Sequence, residues 1–143
     1  MQLPYPDAAF DAATVGFGAR NFDDLARGLS EMARVVRPGG RVVILEITTP
    51  AHGPLAAFYA LWFDRAVPLL GALLARIAAT IARMRGTRPH AGLGDAYTYL
   101  PSSVRRFPTP NELAAEMEHA GLSEISYVLT AGGIIAIHVG EVA

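Results

Sequence analysis

The stretch RVVILEI, residues 41–47, is the clearest β-strand in this sequence. It is a nearly continuous run of β-branched and aliphatic side chains, which is typical of a strand. Immediately before it, Pro38 is unsuited to a helix interior and Gly39–Gly40 favours a turn. The sequence therefore predicts that a helix ends at Pro38, that the chain turns, and that a strand begins at Arg41.

A second strand is predicted upstream, in AFDAATVGFG, residues 9–18. Its small side chains on both faces are typical of a buried parallel strand. Between the strands, apolar residues recur at helical spacing, and either Asn21 or Asp23 is a suitable N-cap. Strand, helix and strand with short links form a βαβ unit, so we expect parallel strands with a right-handed crossover. The apolar face of the helix consists of Leu25, Leu29, Met32, Ala33 and Val36.

Downstream, residues 50–106 form helical segments rich in Ala and Leu. A separate helix start follows, with Thr109 as N-cap, Pro110 at the first helical position and Glu112 completing a capping box. We expect this helix to bury one apolar face and to end at Gly121. The residues predicted for that face are Leu113, Met117 and Ala120.

The sequence ends in two further predicted strands, residues 124–130 and 134–139, separated by Gly132–Gly133. A connection of so few residues joins only antiparallel strands. The expected order is therefore β-α-β, a helical insertion, an α-helix and a terminal β-hairpin.

Composition excludes several classes of function. The chain has 143 residues, enough for one domain with a core, and a net charge of −1, which argues against a nucleic-acid binder. It contains no cysteine, so disulfides and thiolate metal sites are excluded, and its four histidines share no metal-like spacing, so no metal is expected. The apolar stretch 55–84 is interrupted by charged residues and a proline, and we expect it not to cross a membrane.

Four segments resemble successive motifs of the UbiE/MenG/COQ5 quinone C-methyltransferases, a class I S-adenosylmethionine-dependent family. The segments are LPYPDAAFDAATVGFGARN (3–21), RVVRPGGRVVILEITTP (34–50), YTYLPSSVRRFP (97–108) and AGLSEISYVLTAGGIIAIHVG (120–140). The resemblance implies an α/β fold, namely the part of a Rossmann-like sheet that holds strands four to seven. Residues 1–143 would be the C-terminal part of a methyltransferase domain, with residues 51–106 as a helical insertion or lid.

The resemblance also implies S-adenosylmethionine as cofactor and demethylmenaquinol or a related polyprenyl quinol as substrate. The family's glycine-rich cofactor loop and its acidic residue precede the matching region. We therefore expect the isolated chain to be inactive, either as a truncated product or as one half that pairs with a complementing chain. The alternatives are a methyltransferase for another small molecule and a non-catalytic module that binds a membrane or a partner.

Candidate site residues follow the first strand. The resemblance implies that Arg20 and Asn21 are catalytic and that Gly16 and Phe17 contact the cofactor. Arg20 can stabilise a phenolate or orient a water molecule, whereas a guanidinium is itself a poor base. The alternatives are an ion pair between Arg20 and Asp23 or Asp24, and simple close packing at Gly16.

The YTYLPSSVRRF segment borders the substrate pocket in the family. Tyr97 and Tyr99 would stack on a quinone ring, and Arg105 would hold a ring oxygen; the alternative is a loop anchored by aromatic packing. Glu46, at the end of the strongest strand, is a further candidate for a ligand contact, because open α/β sheets place ligands at this end.

The insertion is basic as well as apolar. Residues 51–106 contain seven arginines and two aspartates, a net charge of +5 (7 − 2). A basic amphipathic helix within residues 55–88 fits peripheral contact with a membrane, at the inner face of which a cytoplasmic enzyme would meet a lipid-soluble quinol. The alternative is a lid helix that packs on the core or on the second subunit of a homodimer.

Overall fold

The computed structural model describes the backbone of residues 2–50, 54–84 and 93–143, with their side chains except at positions 54, 55, 60, 63, 64, 93–98 and 100. The chain divides into two compact units. The sheet unit comprises Met1–Thr49 and Arg106–Ala143, and the helical unit comprises Pro50–Arg105.

The sheet unit contains a four-stranded mixed sheet. Its elements are β1 (Phe10–Gly16), a 3-10 turn (Ala19–Asn21), α1 (Leu25–Val35), β2 (Val36–Ile47), α5 (Pro110–His119), β3 (Leu122–Thr130) and β4 (Ile135–Val142). The strand order is β1-β2-β4-β3, so the last strand lies between β2 and β3. Strands β1 and β2 are parallel, and β4 is antiparallel to both of its neighbours. The parallel pair and the antiparallel terminal hairpin are confirmed.

The helix-to-strand junction differs from the prediction. Helix α1 ends at Val35, and β2 begins at Val36, before Pro38. The predicted turn lies inside the strand as an irregularity, because Phe10 pairs with Val36 while Ala12 already pairs with Arg41. Gly40 makes this possible, since a Cβ atom there would lie 2.6 Å from the carbonyl oxygen of Asp11. Only glycine allows the backbones to approach so closely.

One face of the sheet carries the core. Val42 and Ile44 of β2 are fully buried, as are Leu29 of α1 and Met117 of α5. The predicted apolar face of α1 therefore packs on the sheet, as expected for an amphipathic helix. The capping box of α5 is confirmed, because the Thr109 side chain accepts from the Glu112 backbone and the Glu112 carboxylate accepts from the Thr109 backbone.

Strand β1 has the small side chains typical of a buried parallel strand, but it lies at an edge of the described sheet. Within the described part of the chain it is hydrogen-bonded only to β2, and most of its residues are exposed. Small side chains on both faces fit a buried strand, but burial also requires a neighbour on each side. As the structure stands, β1 is an edge strand with an open backbone ladder.

The helical unit contains α2 (Pro54–Leu61), a π-helical turn (Trp62–Ala66), α3 (Val67–Met84) and α4 (Leu93–Arg106). The predicted helical character of this region is confirmed. Helix α3 is long and apolar enough to span a membrane by length and composition, with a mean hydropathy of 1.5. Its two arginines leave the average of the 18-residue helix apolar. Length and composition alone do not test whether the helix crosses a membrane, so the expectation that it does not cross one stays a prediction.

The N-cap of α1 provides a test of this local geometry. The Asp24 carboxylate accepts a hydrogen bond from the Arg27 backbone at 3.0 Å, so Asp24 is the cap, and the prediction of Asn21 or Asp23 was wrong. We expect Asp24→Ala to lower the free energy of unfolding by about 1 kcal/mol, because an orphan N–H at the helix start loses its acceptor. The measurement is urea denaturation.

Asp23→Ala is the matched control for this prediction. It removes the same charge one residue away and should change the free energy of unfolding by less than about 0.5 kcal/mol. Equal losses for the two variants would contradict the assignment of the cap.

Candidate active site

The candidate site lies where β1 and β2 end side by side. Gly16, the last residue of β1, pairs with Leu45 near the end of β2, and the 3-10 turn Ala19–Asn21 follows β1 directly. The carboxyl ends of parallel strands are where open α/β sheets bind ligands. Four of the predicted residues, Gly16, Phe17, Arg20 and Asn21, are therefore brought together at this edge.

Arg20 forms an ion pair with Glu46. The Arg20 Nη1 atom lies 2.6 Å from the Glu46 Oε2 atom, and the exposed fractions of the two side chains are 12% and 2%. The alternative of an ion pair with Asp23 or Asp24 was wrong, because the guanidinium reaches the end of β2 instead. The pair joins residues 26 positions apart.

The Glu46 carboxylate is fully engaged by the protein. Besides the Arg20 side chain, it accepts hydrogen bonds from the Arg20 backbone at 3.3 Å and from the Ile47 backbone at 3.2 Å. A carboxylate buried to this extent needs such donors, since an unpaired buried charge is strongly destabilising. The contacts of Glu46 are those of a residue that supports Arg20. A direct contact between Glu46 and a ligand stays a prediction.

The other side of the Arg20 guanidinium has no acceptor among the described residues. The Nε atom is buried and makes no hydrogen bond, and the side chain donates only through Nη1. A buried donor without a partner is rare in folded proteins and calls for an explanation. The Nε–Nη2 edge is the fork that binds planar pairs of oxygen atoms.

Phe17 has a strained backbone at the end of β1. Its φ is +55°, and the residue is 44% exposed. A bulky residue in the left-handed region costs roughly 1–2 kcal/mol and points to a functional constraint. The backbone N–H of Phe17 donates to the Leu45 carbonyl at 2.8 Å, which holds this conformation against β2.

Gly16 and Asn21 complete the group. Apart from its two chain neighbours, no atom of the described residues lies within 4 Å of the position where a Cβ of Gly16 would be, so the alternative of close packing is wrong and the residue borders open space. Asn21 is exposed, and its backbone N–H donates to Gly18 at 3.0 Å, which closes the 3-10 turn.

Tyr97, Tyr99 and Arg105 all lie on helix α4, in the helical unit, and are described apart from Arg20. The alternative of a loop was wrong, since the segment is helical and continues through Pro101. Tyr99 is half exposed, and its carbonyl accepts a hydrogen bond from the Ser102 hydroxyl. Arg105 is exposed, and the Tyr97 side chain lies outside the described residues.

Sequence reasoning gave His138 no role, but it is buried on the same sheet face as Glu46. Its Nε2 atom lies 2.9 Å from the Pro110 carbonyl and donates to it in the neutral form, while Nδ1 is buried and has no hydrogen-bond partner in the part of the chain that the structure describes. Burial lowers the pKa of the His138 imidazole. His138 and Glu46 both line a cavity of about 170 Å³. The sequence feature that could have pointed to Glu46 and His138 is the same: each is a polar residue within an otherwise apolar predicted strand.

A profile of the ubiE/COQ5 methyltransferase family matches residues 1–142. This chain belongs to the ubiE/COQ5 methyltransferase family. Two relatives, both named demethylmenaquinone methyltransferase, are 43% identical to it over 141 residues. One is from Thermus thermophilus and the other from Deinococcus radiodurans, and the match covers 99% of this chain and 56% and 52% of theirs. The chain thus spans about half the length of the curated relatives it matches.

Solved structures confirm the fold expected for a ubiE/COQ5 member. A SAM-dependent methyltransferase from Thermotoga maritima, described as a possible histamine N-methyltransferase, aligns with a TM-score of 0.56 at 16% identity, covering 98% of this chain and 59% of that one. A SAM-dependent methyltransferase from Aquifex aeolicus aligns with a TM-score of 0.55 at 14% identity, covering 99% and 50%. The architecture is that of the class I methyltransferases.

His138 gives the protein a predictable response to acid. The pKa of its imidazole is lowered in the folded state, so the unfolded chain takes up the proton first and stability falls as the pH decreases below the ordinary value of 6.5. His138→Gln keeps an N–H for the Pro110 carbonyl and removes the titration. We expect its unfolding free energy, measured in urea from pH 7.5 to 5.5, to change less with pH than that of the wild type.

The control for this experiment is His119→Gln, which changes an exposed histidine of α5 and should retain the wild-type slope. Glu31 does not interfere, because hydrogen bonds from Arg34 and the Leu3 backbone lower the pKa of its carboxyl to about 2 from 4.5. The contribution of the ionised Glu31 carboxyl to the free energy of unfolding is lost only at lower pH, between about 4.5 and 2. Identical slopes for the wild type and His138→Gln would contradict the prediction.

Proposed function

We propose that the protein carrying this chain transfers a methyl group from S-adenosylmethionine to a ring carbon of demethylmenaquinol or a related polyprenyl quinol. The observation that carries the proposal is the Arg20 guanidinium, held by buried Glu46 at the carboxyl end of β1 with its Nε–Nη2 edge unfilled. The names of the relatives and the family membership support the reaction and the substrate class.

The proposed chemistry needs a stabilised ring oxygen. With S-adenosylmethionine bound, an electron pair of the ring carbon would form the new carbon–carbon bond to the methyl group while the methyl–sulfur bond breaks, and neutral S-adenosylhomocysteine would leave with that bonding pair. The ring would then lose a proton from the same carbon to water, which restores the aromatic system. Negative charge on the ring oxygen makes the carbon more nucleophilic. The N–H groups of Arg20 stabilise that charge, because a guanidinium stays protonated and donates hydrogen bonds in a planar fork.

S-Adenosylmethionine, when bound, supplies an electrophilic methyl group on a sulfonium sulfur. Gly16 fits a position beside such a cofactor, because open space lies where a side chain would project and the backbone alone borders it. Phe17, with its exposed ring, is the second proposed cofactor contact. Asn21 would act beside Arg20 on the ring oxygen.

The substrate side of the site is proposed for the helical unit. Tyr97 and Tyr99 would stack on the quinol ring, and Arg105 would bind a second ring oxygen. The role of residues 51–106 as an insertion or lid stays part of this proposal, as does a homodimer contact.

A second candidate function is peripheral membrane contact through residues 55–88, at the cytoplasmic face of the membrane. Helix α3 buries the small residues Gly71 and Ala82 and turns its large apolar side chains outward, the reverse of an ordinary surface helix. At 100° per residue these side chains form one arc, and Arg76 and Arg83 both lie beside one end of it. The arc consists of Leu69, Leu70, Leu73, Leu74, Ile77, Ile81 and Met84.

We also propose that turnover requires further polypeptide along β1. The open edge of β1 and the match to about half of each relative support this requirement. The methyltransfer assay is therefore run on the chain alone and on the chain mixed with the part of the Thermus thermophilus relative that it does not match. Product formed equally well by the chain alone would contradict the requirement.

Arg20→Lys tests the proposed chemistry. Lysine keeps the positive charge but loses the planar fork, so we expect the rate of ring methylation to fall about 100-fold, the effect of losing one oxyanion donor. Product is measured by mass spectrometry with a reduced demethylmenaquinone analogue. The control Arg27→Lys changes an exposed arginine of α1 and should retain full activity. Methylation on oxygen, or an unchanged rate in Arg20→Lys, would contradict the proposal.

The membrane contact predicts binding to vesicles of anionic lipid at low salt. Leu73→Ser combined with Ile77→Ser should reduce co-sedimentation at least several-fold, because both side chains belong to the exposed apolar arc. Ala72→Ser, at an exposed position of α3 outside the arc, should bind like the wild type. Equal binding of the double variant would exclude this surface as the contact.

A further inference from the structure

We infer that Glu46 is a positioning residue: it fixes the Arg20 guanidinium so that its Nε–Nη2 edge is presented to an oxygen-bearing ligand. The inference rests on the proposed function, in which that ligand is the quinol ring oxygen. Glu46 itself touches no reacting atom in this assignment and acts through Arg20.

The first argument is the rigidity of the support. Glu46 lies in β2, a strand paired on both sides, and its Oε2 atom accepts from the Ile47 backbone at 3.2 Å as well as from Arg20 Nη1 at 2.6 Å. The carboxylate is therefore held by the backbone of its own strand independently of its contact with Arg20. Only 1% of Glu46 is exposed, so water does not compete for its oxygen atoms.

The second argument is that Glu46 fixes both ends of Arg20. One carboxylate oxygen binds the guanidinium, and the other accepts from the Arg20 backbone N–H at 3.3 Å. The backbone contact places the 3-10 turn Ala19–Asn21, and the side-chain contact sets the direction of the guanidinium. A flexible arginine loses considerable rotamer entropy on binding a ligand, and this arrangement removes that loss in advance.

The third argument concerns which guanidinium nitrogen of Arg20 binds Glu46. Glu46 occupies Nη1, whereas the buried Nε donor has no partner among the described residues. A bidentate ion pair on the Nε side would have satisfied both groups, yet the donor is left open in a site otherwise rich in contacts. A ligand oxygen on the Nε–Nη2 edge would supply the missing acceptor.

Two substitutions change the charge and the length of the Glu46 side chain one at a time. Glu46→Gln keeps the length and removes the charge, and Glu46→Asp keeps the charge and withdraws the carboxylate by one methylene. Both should release the Arg20 side chain if Glu46 positions it. Glu31→Gln is the matched control, because it breaks the separate ion pair between Glu31 and Arg34 on α1.

The experiment follows the Arg20 Nε–H signal by NMR in the full chain labelled with ¹⁵N-arginine, assigned by its loss in Arg20→Lys. We expect exchange of this proton with water at least about tenfold slower than for exposed arginines, because the atom is buried. Glu46→Gln and Glu46→Asp should speed the exchange at least tenfold, with circular dichroism and melting temperature showing that they fold. Glu31→Gln should leave it unchanged.

The ligand arm uses 1,4-naphthoquinol kept reduced with dithionite. It should shift the Arg20 signal in the wild type and not in Glu46→Gln. Exchange that is fast in the wild type, or unchanged in both Glu46 variants, would overturn the inference. A signal that depends on Glu46 but does not respond to naphthoquinol would support the positioning role and would instead contradict the proposed substrate.

Discussion

The buried ion pair between Arg20 and Glu46 is the interaction on which the candidate site depends. It joins the turn after β1 to the end of β2, and the two charges are removed from water together. Such a pair is tolerated because backbone donors from Arg20 and Ile47 satisfy the rest of the carboxylate. Replacement of such a pair by a hydrophobic pair is often as stable, so stability alone does not explain two charges at this place in the sheet.

The sheet around this pair is arranged to hold it in place. Strand β2 is paired with β1 on one side and β4 on the other, so its end has little freedom to move. Helices α1 and α5 cover the face that carries Val42, Ile44, Glu46 and His138. His138 bonds to the carbonyl of Pro110 at the start of α5, so a polar contact fixes the helix over the same cavity that Glu46 lines. The strained Phe17 adds a cost of its own, which the surrounding hydrogen bonds offset.

The helical unit differs from the sheet unit in which side chains its central helix buries. Its central helix α3 buries small residues and exposes large ones, so its stability does not come from hiding its most apolar side chains. That arrangement fits a surface that is completed by lipid or by another polypeptide. Contact of this surface with lipid is the second function proposed above for this member of the ubiE/COQ5 family.

The sequence alone determined the features that depend on near neighbours. The capping box at Thr109, the helix faces of α1 and α5, the parallel β1–β2 pair and the terminal hairpin all follow from spacings of two to four residues and short links. The predicted strand also placed Gly16 and Arg20 at the carboxyl end of β1, where the structure has them. The tertiary structure alone decided which carboxylate Arg20 meets, because Glu46 is 26 positions away while Asp23 and Asp24 are adjacent.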